Sequence, residues 1–193
     1  GYELYQSMSE ETISKIRGGQ IDVLTSMDNQ WSPQINLGVS VLIPETYVSD
    51  LDVRLGLYRR LSNLNKKVEF EGFAAELIDR FGKLPSEVNT LLLVVRIKSV
   101  CKKAGIGKLD GGPKGATVQF YNDKFISPEG LVEFIKNQNG TAKIKDNKLI
   151  IRRDWKKNAD KFKGAFAIAR DLAEIAASFE KNIQKKQKSN FLN

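Results

Sequence analysis

The stretch Gly72 to Leu93, GFAAELIDRFGKLPSEVNTLLL, constrains the fold most. At ~100° per residue, Phe73, Ala74, Leu77, Ile78 and Phe81 fall on one helical arc. Glu69, Glu76, Asp79, Arg80 and Lys83 fall on the opposite arc. Gly82 stands where a residue of positive φ ends a helix, Pro85 prevents its continuation, and Ser86 with Glu87 starts a second one. The spacing therefore predicts two helices joined by a tight corner, with one apolar face and one charged ridge. Such a pair needs further elements to cover its apolar face.

Those elements are legible on both sides. Residues 2–17 space Leu4, Tyr5, Met8, Thr12, Ile13 and Ile16 as a helix ended by Gly18 and Gly19. Residues 20–36 have no sustained period and read as a connector. Leu37 to Ile43 alternates and is β-branched, which predicts a strand ended by Pro44. Ser49 is expected to cap a helix over 50–63, with Asp52 at the capping-box position. The second central helix is expected over 86–104. Beyond it the pattern turns to short strands: 106–109, the GGPKG turn at 111–115, then ATVQFY at 116–121. Ser127-Pro128-Glu129 opens a helix to about Gln138. Asp146-Asn147, between 141–145 and 148–152, signals a hairpin. Residues 157–184 form a last long helix, and QKKQKSNFLN reads as a polar, basic, flexible tail over 185–193. The expectation is an α+β fold: a small mixed or antiparallel sheet of three to five strands with about five helices. An N-terminal helix and connector over 1–36 precede this 37–184 domain. Strand order is left open.

Composition removes several chemistries. The 193 residues contain no His, which excludes Ser–His–Asp triads and His-bearing metal sites. The one Cys, Cys101, lies in an apolar helical pattern and reads as buried; with no internal disulfide available, a reducing cytoplasm fits. There is no CxxC pair, GxxxxGK[ST] or GxGxxG. No apolar run reaches the length of a membrane span, and the opening lacks a signal pattern. The missing initiator Met and the start at GYELYQSM suggest a piece of a longer protein. Net charge is unevenly spread: −2 over residues 1–100 and +10 over 101–193, within a total of +8. A basic half fits nucleic acid, an acidic partner or a solvated surface.

Glu76 and Asp79 share the exposed arc. Two acids can serve acid–base work, but Arg80 and Lys83 crowd them and nothing suggests the desolvation that a raised pKa requires. The ridge then reads as a solvated ion-pair surface or as a partner-binding one. GGPKG lacks the context of a phosphate cradle and reads as a hairpin turn. Arg54, Arg59 and Arg60 gain significance if they face Glu76 or Asp79, because a bidentate arginine–carboxylate pair would set how two helices cross. Phe120, Tyr121, Phe125 and Trp155 accompany the basic half, yet Phe120 and Tyr121 point to opposite faces of a strand, a weak basis for base stacking.

Three segments carry a family resemblance: IPETYVSDLDVRLGLYRRL (43–61), ELIDRFGKLPSEVNTLL (76–92) and KAGIGKLDGGPKGATVQF (103–120). With their IPE-Y, R-L-x-x-Y-x-R and ELIDRFGxLP motifs they resemble the C-terminal domain of bacterial transcription-repair coupling factors. GYELYQSMSEETI resembles the helix closing that family's translocase module. The resemblance implies a parent that is an ATP-dependent, superfamily-2 DNA translocase in the cytoplasm. That parent displaces stalled RNA polymerase from double-stranded DNA at lesions and recruits nucleotide excision repair through UvrA. It implies a domain with no ATPase and no cofactor of its own, ATP and magnesium belonging to the motor module. The domain would pack on the UvrB-like module and mask UvrA binding. Carried onto this chain, the docking face is Glu76 and Asp79, supported by Arg80, with Arg59 beside it; Arg54 and Tyr58 are structural. The alternative is a nucleic-acid-binding module using the basic half.

Overall fold

A computed structural model describes residues 31–193. The expected helix over 2–17 and most of the connector lie outside the described residues. Among the described residues there are five α-helices and five strands, an α+β fold as expected. The chain divides into two compact units, with the boundary between Ser99 and Val100.

In the first unit, β1 is Gln34–Asn36, α1 is Leu51–Ser62, α2 is Lys67–Phe81, and α3, Ser86–Ala104, begins. The strand expected over 37–43 is not one. Its alternation is real, since Leu37, Val41 and Ile43 are buried, but β1 precedes it and residues 37–43 join no ladder. Alternation reports an extended backbone with one buried face; it does not supply a neighbouring strand. Instead the Ile43 N–H donates to the Tyr58 hydroxyl at 2.6 Å. Capping also shifts by one residue. Asp50, not Ser49, accepts from the Val53 N–H at 2.9 Å. Helix α1 buries Leu55, Leu57, Tyr58 and Leu61, and α2 buries Phe70, Phe73 and Leu77. Helix α2 starts before Gly72 because Glu69 accepts from the Lys66 N–H, satisfying a first-turn donor. Ile78, expected inside, is 50% exposed. It lies at the far edge of the apolar arc, ~140° from Phe73, beyond what the neighbouring elements cover. Gly82 ends the helix at φ 94°, and its N–H donates to Ile78 O.

The second unit holds four antiparallel strands in the order β2-β3-β5-β4. They are β2, Ile106–Gly112; β3, Gly115–Phe120; β4, Ala142–Lys145; and β5, Lys148–Arg152. The register places Leu109 opposite Val118 and Ala116 opposite Ile151, and all four are buried. That is what a two-residue period with one covered face requires. Asp146 and Asn147, both at positive φ, make the two-residue hairpin turn. Helix α4, Pro128–Lys136, starts as anticipated, with Ser127 accepting from the Gly130 N–H at 3.1 Å. It packs on β4 and on α5, Asn158–Leu192, which also packs on β2. Helix α5 does not stop near 184. It runs on through the expected tail, and every residue from Glu180 onward is exposed. Cys101 is fully buried, and burial pushes its thiol pKa up. That is the inert state expected of it.

Candidate partner-docking surface

The sequence singled out the outer edge of α2, and that edge is built jointly with α1. Arg60, in the last turn of α1, extends over the Phe73 ring with Cζ 5.1 Å from the centroid. From there it forks onto Glu76: one guanidinium nitrogen meets Oε2 at 2.6 Å, the other Oε1 at 2.8 Å. Arg80, one turn further along α2, donates to the same Oε2 at 3.0 Å and lies over Phe81. The Glu76 carboxylate thus has two cations. Their hydrogen bonds, that of Arg60 first, hold its pKa down to about 2, and Glu76 in turn raises that of Arg60. The pair is half-exposed, so solvent screens it and its worth is about 1 kcal/mol. Its geometry matters more than its energy, because a fork on a carboxylate fixes both position and angle.

Beside this clamp, Tyr47 pins the C-terminal end of α2. Its hydroxyl lies 3.0 Å from Leu77 O and 2.8 Å from Gly82 O, the second a carbonyl beyond the last helical residue. Its ring packs on Phe81 at 5.7 Å. Arg54 is buried and donates to Val48 O at 2.7 Å and Ser49 O at 3.1 Å, so it secures the turn before α1. With the Tyr58–Ile43 bond, the contacts of Arg54 and Tyr58 are internal to the fold, in line with the structural reading of those two residues.

The structure therefore separates the four site residues that the sequence proposed. Glu76 and Arg80 are brought together in an internal clamp. Asp79 and Arg59 are exposed and make no side-chain hydrogen bond or ion pair among the described residues. Asp79 sits beside the exposed Ile78. The partner of Glu76 is Arg60, which sequence reasoning grouped with Arg54 and Arg59 but left out of the site. Its signal was present: in R-L-x-x-Y-x-R, the named letters fall on Arg54, Leu55, Tyr58 and Arg60, and Arg59 occupies a free position. Tyr47, also missed, is the tyrosine of the IPE-Y motif. Among the described residues no group of three or more His, Cys, Asp or Glu is placed to hold a metal. None of their helices is long and apolar enough to cross a membrane.

Residues 37–131, which contain this clamp and all its motif positions, match the family model described as TRCF domain. The chain belongs to the TRCF domain family. It is 46% identical over 151 residues to the transcription-repair-coupling factor of Rickettsia bellii, a match covering 78% of this chain and 13% of that protein. Identity to the transcription-repair-coupling factor of Escherichia coli is 30% over 138 residues, covering 72% and 12%. The chain thus spans about an eighth of the length of these relatives. A crystal structure of the C-terminal domain of a transcription-repair coupling factor superposes with a TM-score of 0.64. It covers 79% of this chain and 98% of the other at 23% identity, a likeness of fold. The TRCF match begins at Leu37, just after β1, and ends in α4, so α5 lies outside it.

Proposed function

We propose that this TRCF domain is a non-catalytic docking domain of a transcription-repair coupling factor. It packs reversibly on the UvrB-like module of its own protein and masks the surface that binds UvrA. The parent is an ATP-dependent DNA translocase of the cytoplasm, with ATP and magnesium in its motor module. It displaces stalled RNA polymerase from double-stranded DNA, and it hands the lesion to nucleotide excision repair. The observation that carries this reading is the exposed Ile78–Asp79 pair on a helix whose C-terminal part is held from two sides, by Arg60 and by Tyr47. A half-exposed apolar side chain beside an uncompensated carboxylate suits a modest, charge-matched interface. A rigid support spares that interface the entropy of ordering the helix. Reversible docking needs a coupling of ~1–3 kcal/mol, which such an edge supplies.

Glu76 is a poor probe of docking, because changing it also breaks the α1–α2 clamp. Asp79→Arg and Ile78→Ser leave the clamp intact. Each is expected to weaken binding of this chain to the separately produced UvrB-like module by ~10-fold or more, measured by calorimetry. Unchanged affinity in both variants, with unchanged thermal unfolding, sinks the assignment.

A further inference from the structure

Helix α5 carries two unlike features that fit each other. Against α4 it forms an open groove of ≈ 680 Å³, with Ile175 and Phe179 on its α5 wall. The lining includes four carboxylates, Glu129, Glu133, Asp171 and Glu174, and no Lys or Arg. Of the four, Asp171 has a partial partner in Arg170, 3.4 Å away. Close approach of the two helices makes the groove: a Cβ added at Gly130 would run into the Ile175 side chain.

Beyond Phe179, α5 continues for thirteen residues, 180–192, all exposed, of which Asn182 still lines the groove. That is ~20 Å of helix standing in solvent. From residue 181 on it carries Lys181, Lys185, Lys186 and Lys188 and no acid. The apolar line of the groove wall, Ile175 and Phe179, continues by one four-residue step to Ile183. Phe191 and Leu192 are 92% and 83% exposed. A helix this short is marginal in water by itself, so packing of its apolar line is what would hold it.

We infer that two copies of this chain associate antiparallel along α5, the basic overhang of each lying in the acidic groove of the other. A two-fold axis near residue 180 brings Lys185, Lys186 and Lys188 of one copy within about a turn of Asp171 and Glu174 of its partner. The same axis sets Ile183 level with the span between Ile175 and Phe179 of the partner copy. Apolar side chains meet apolar side chains, and a basic overhang meets an acidic groove, twice over.

Sedimentation velocity of the full chain, over a wide concentration range at low and high salt, tests this. The expected result is conversion of the 21.7 kDa monomer to a species of twice that mass, weakened ~10-fold or more by high salt. One variant reverses the overhang (Lys181, Lys185, Lys186 and Lys188 to Glu). A second reverses the groove (Glu129, Glu133, Asp171 and Glu174 to Lys). Each alone is expected to be monomeric, and an equimolar mixture is expected to restore the dimer, because both contacts are then complementary. The overhang is wholly exposed, so its variant keeps the fold, and circular dichroism checks this. A wild-type chain that stays monomeric throughout overturns the proposal. So does a dimer indifferent to both reversals, a mixture without rescue, or a monomer that takes up only an added basic helical peptide.

Discussion

Glu76 shows how one carboxylate ties two helices together. Its folded pKa of about 2 lies below its ordinary value of 4.5 because Arg60 and Arg80 favour the charged form. The unfolded chain therefore takes up the proton first as pH falls. The stabilisation is complete above about pH 4.5 and is lost progressively towards pH 2. Glu76→Gln is expected to destabilise the protein by about 1 kcal/mol at pH 7, the discounted worth of a half-exposed pair. Urea unfolding of both proteins from pH 7 down to 2.5 checks this, and the gap between their midpoints should close below about pH 4.5. A gap that stays constant would mean that packing on Phe73, not charge, carries the effect. Arg60 was within reach of sequence reasoning, since the hypothetical fork was recognised. Which of three arginines made it was not, because Arg59 and Arg60 differ by ~100° on the helix and only the position of α2 chooses between them.

At the level of elements, glycines of one sequence type have opposite roles. Gly164 lies in α5 under the buried Trp155, and a Cβ there would strike the indole ring. Gly72 lies in α2 with nothing within 4 Å of the same added atom. Gly164→Ala is expected to cost ~1–3 kcal/mol by overpacking. Gly72→Ala is expected to gain up to ~1 kcal/mol, because Ala restricts the unfolded chain and favours helix. Thermal unfolding of the two variants gives opposite signs if the packing is as described. The helices and hairpins of the second unit were legible because their signals are local: Ser127-Pro128, Asp146-Asn147, and the apolar spacing of α5. The strand misplaced at 37–43 was not, since a ladder depends on a partner strand elsewhere in the chain.

Across the whole molecule, charge is segregated, with −2 in residues 1–100 and +10 in the remainder. The docking edge on α2 belongs to the acidic portion and the α5 overhang to the basic one. Both proposed interfaces then weaken with salt but respond to different residues. Docking of this chain on the UvrB-like module is expected to lose association rate with rising salt and with Asp79→Arg. It should keep that rate when the overhang lysines are reversed. Stopped-flow or surface-binding kinetics at several ionic strengths distinguish the two surfaces. An association rate moved by the overhang and unmoved by Asp79→Arg would reassign docking to the basic end.

The sequence by itself determined the helices of the central pair, the hairpin turns, most of the apolar faces and the family, though not the 37–43 segment or the extent of α5. These follow from period, from φ preferences and from motifs that each lie within a few residues. Tertiary structure alone decided what the charged ridge on α2 is. It drew Glu76 and Arg80 inward to Arg60, left Asp79 and Ile78 facing solvent, and gave Glu69 to the start of its own helix. A helical wheel assigns residues to a face. Whether a charge on that face is consumed within the fold depends on which side chains a second helix brings within 3 Å, and no local pattern encodes that distance.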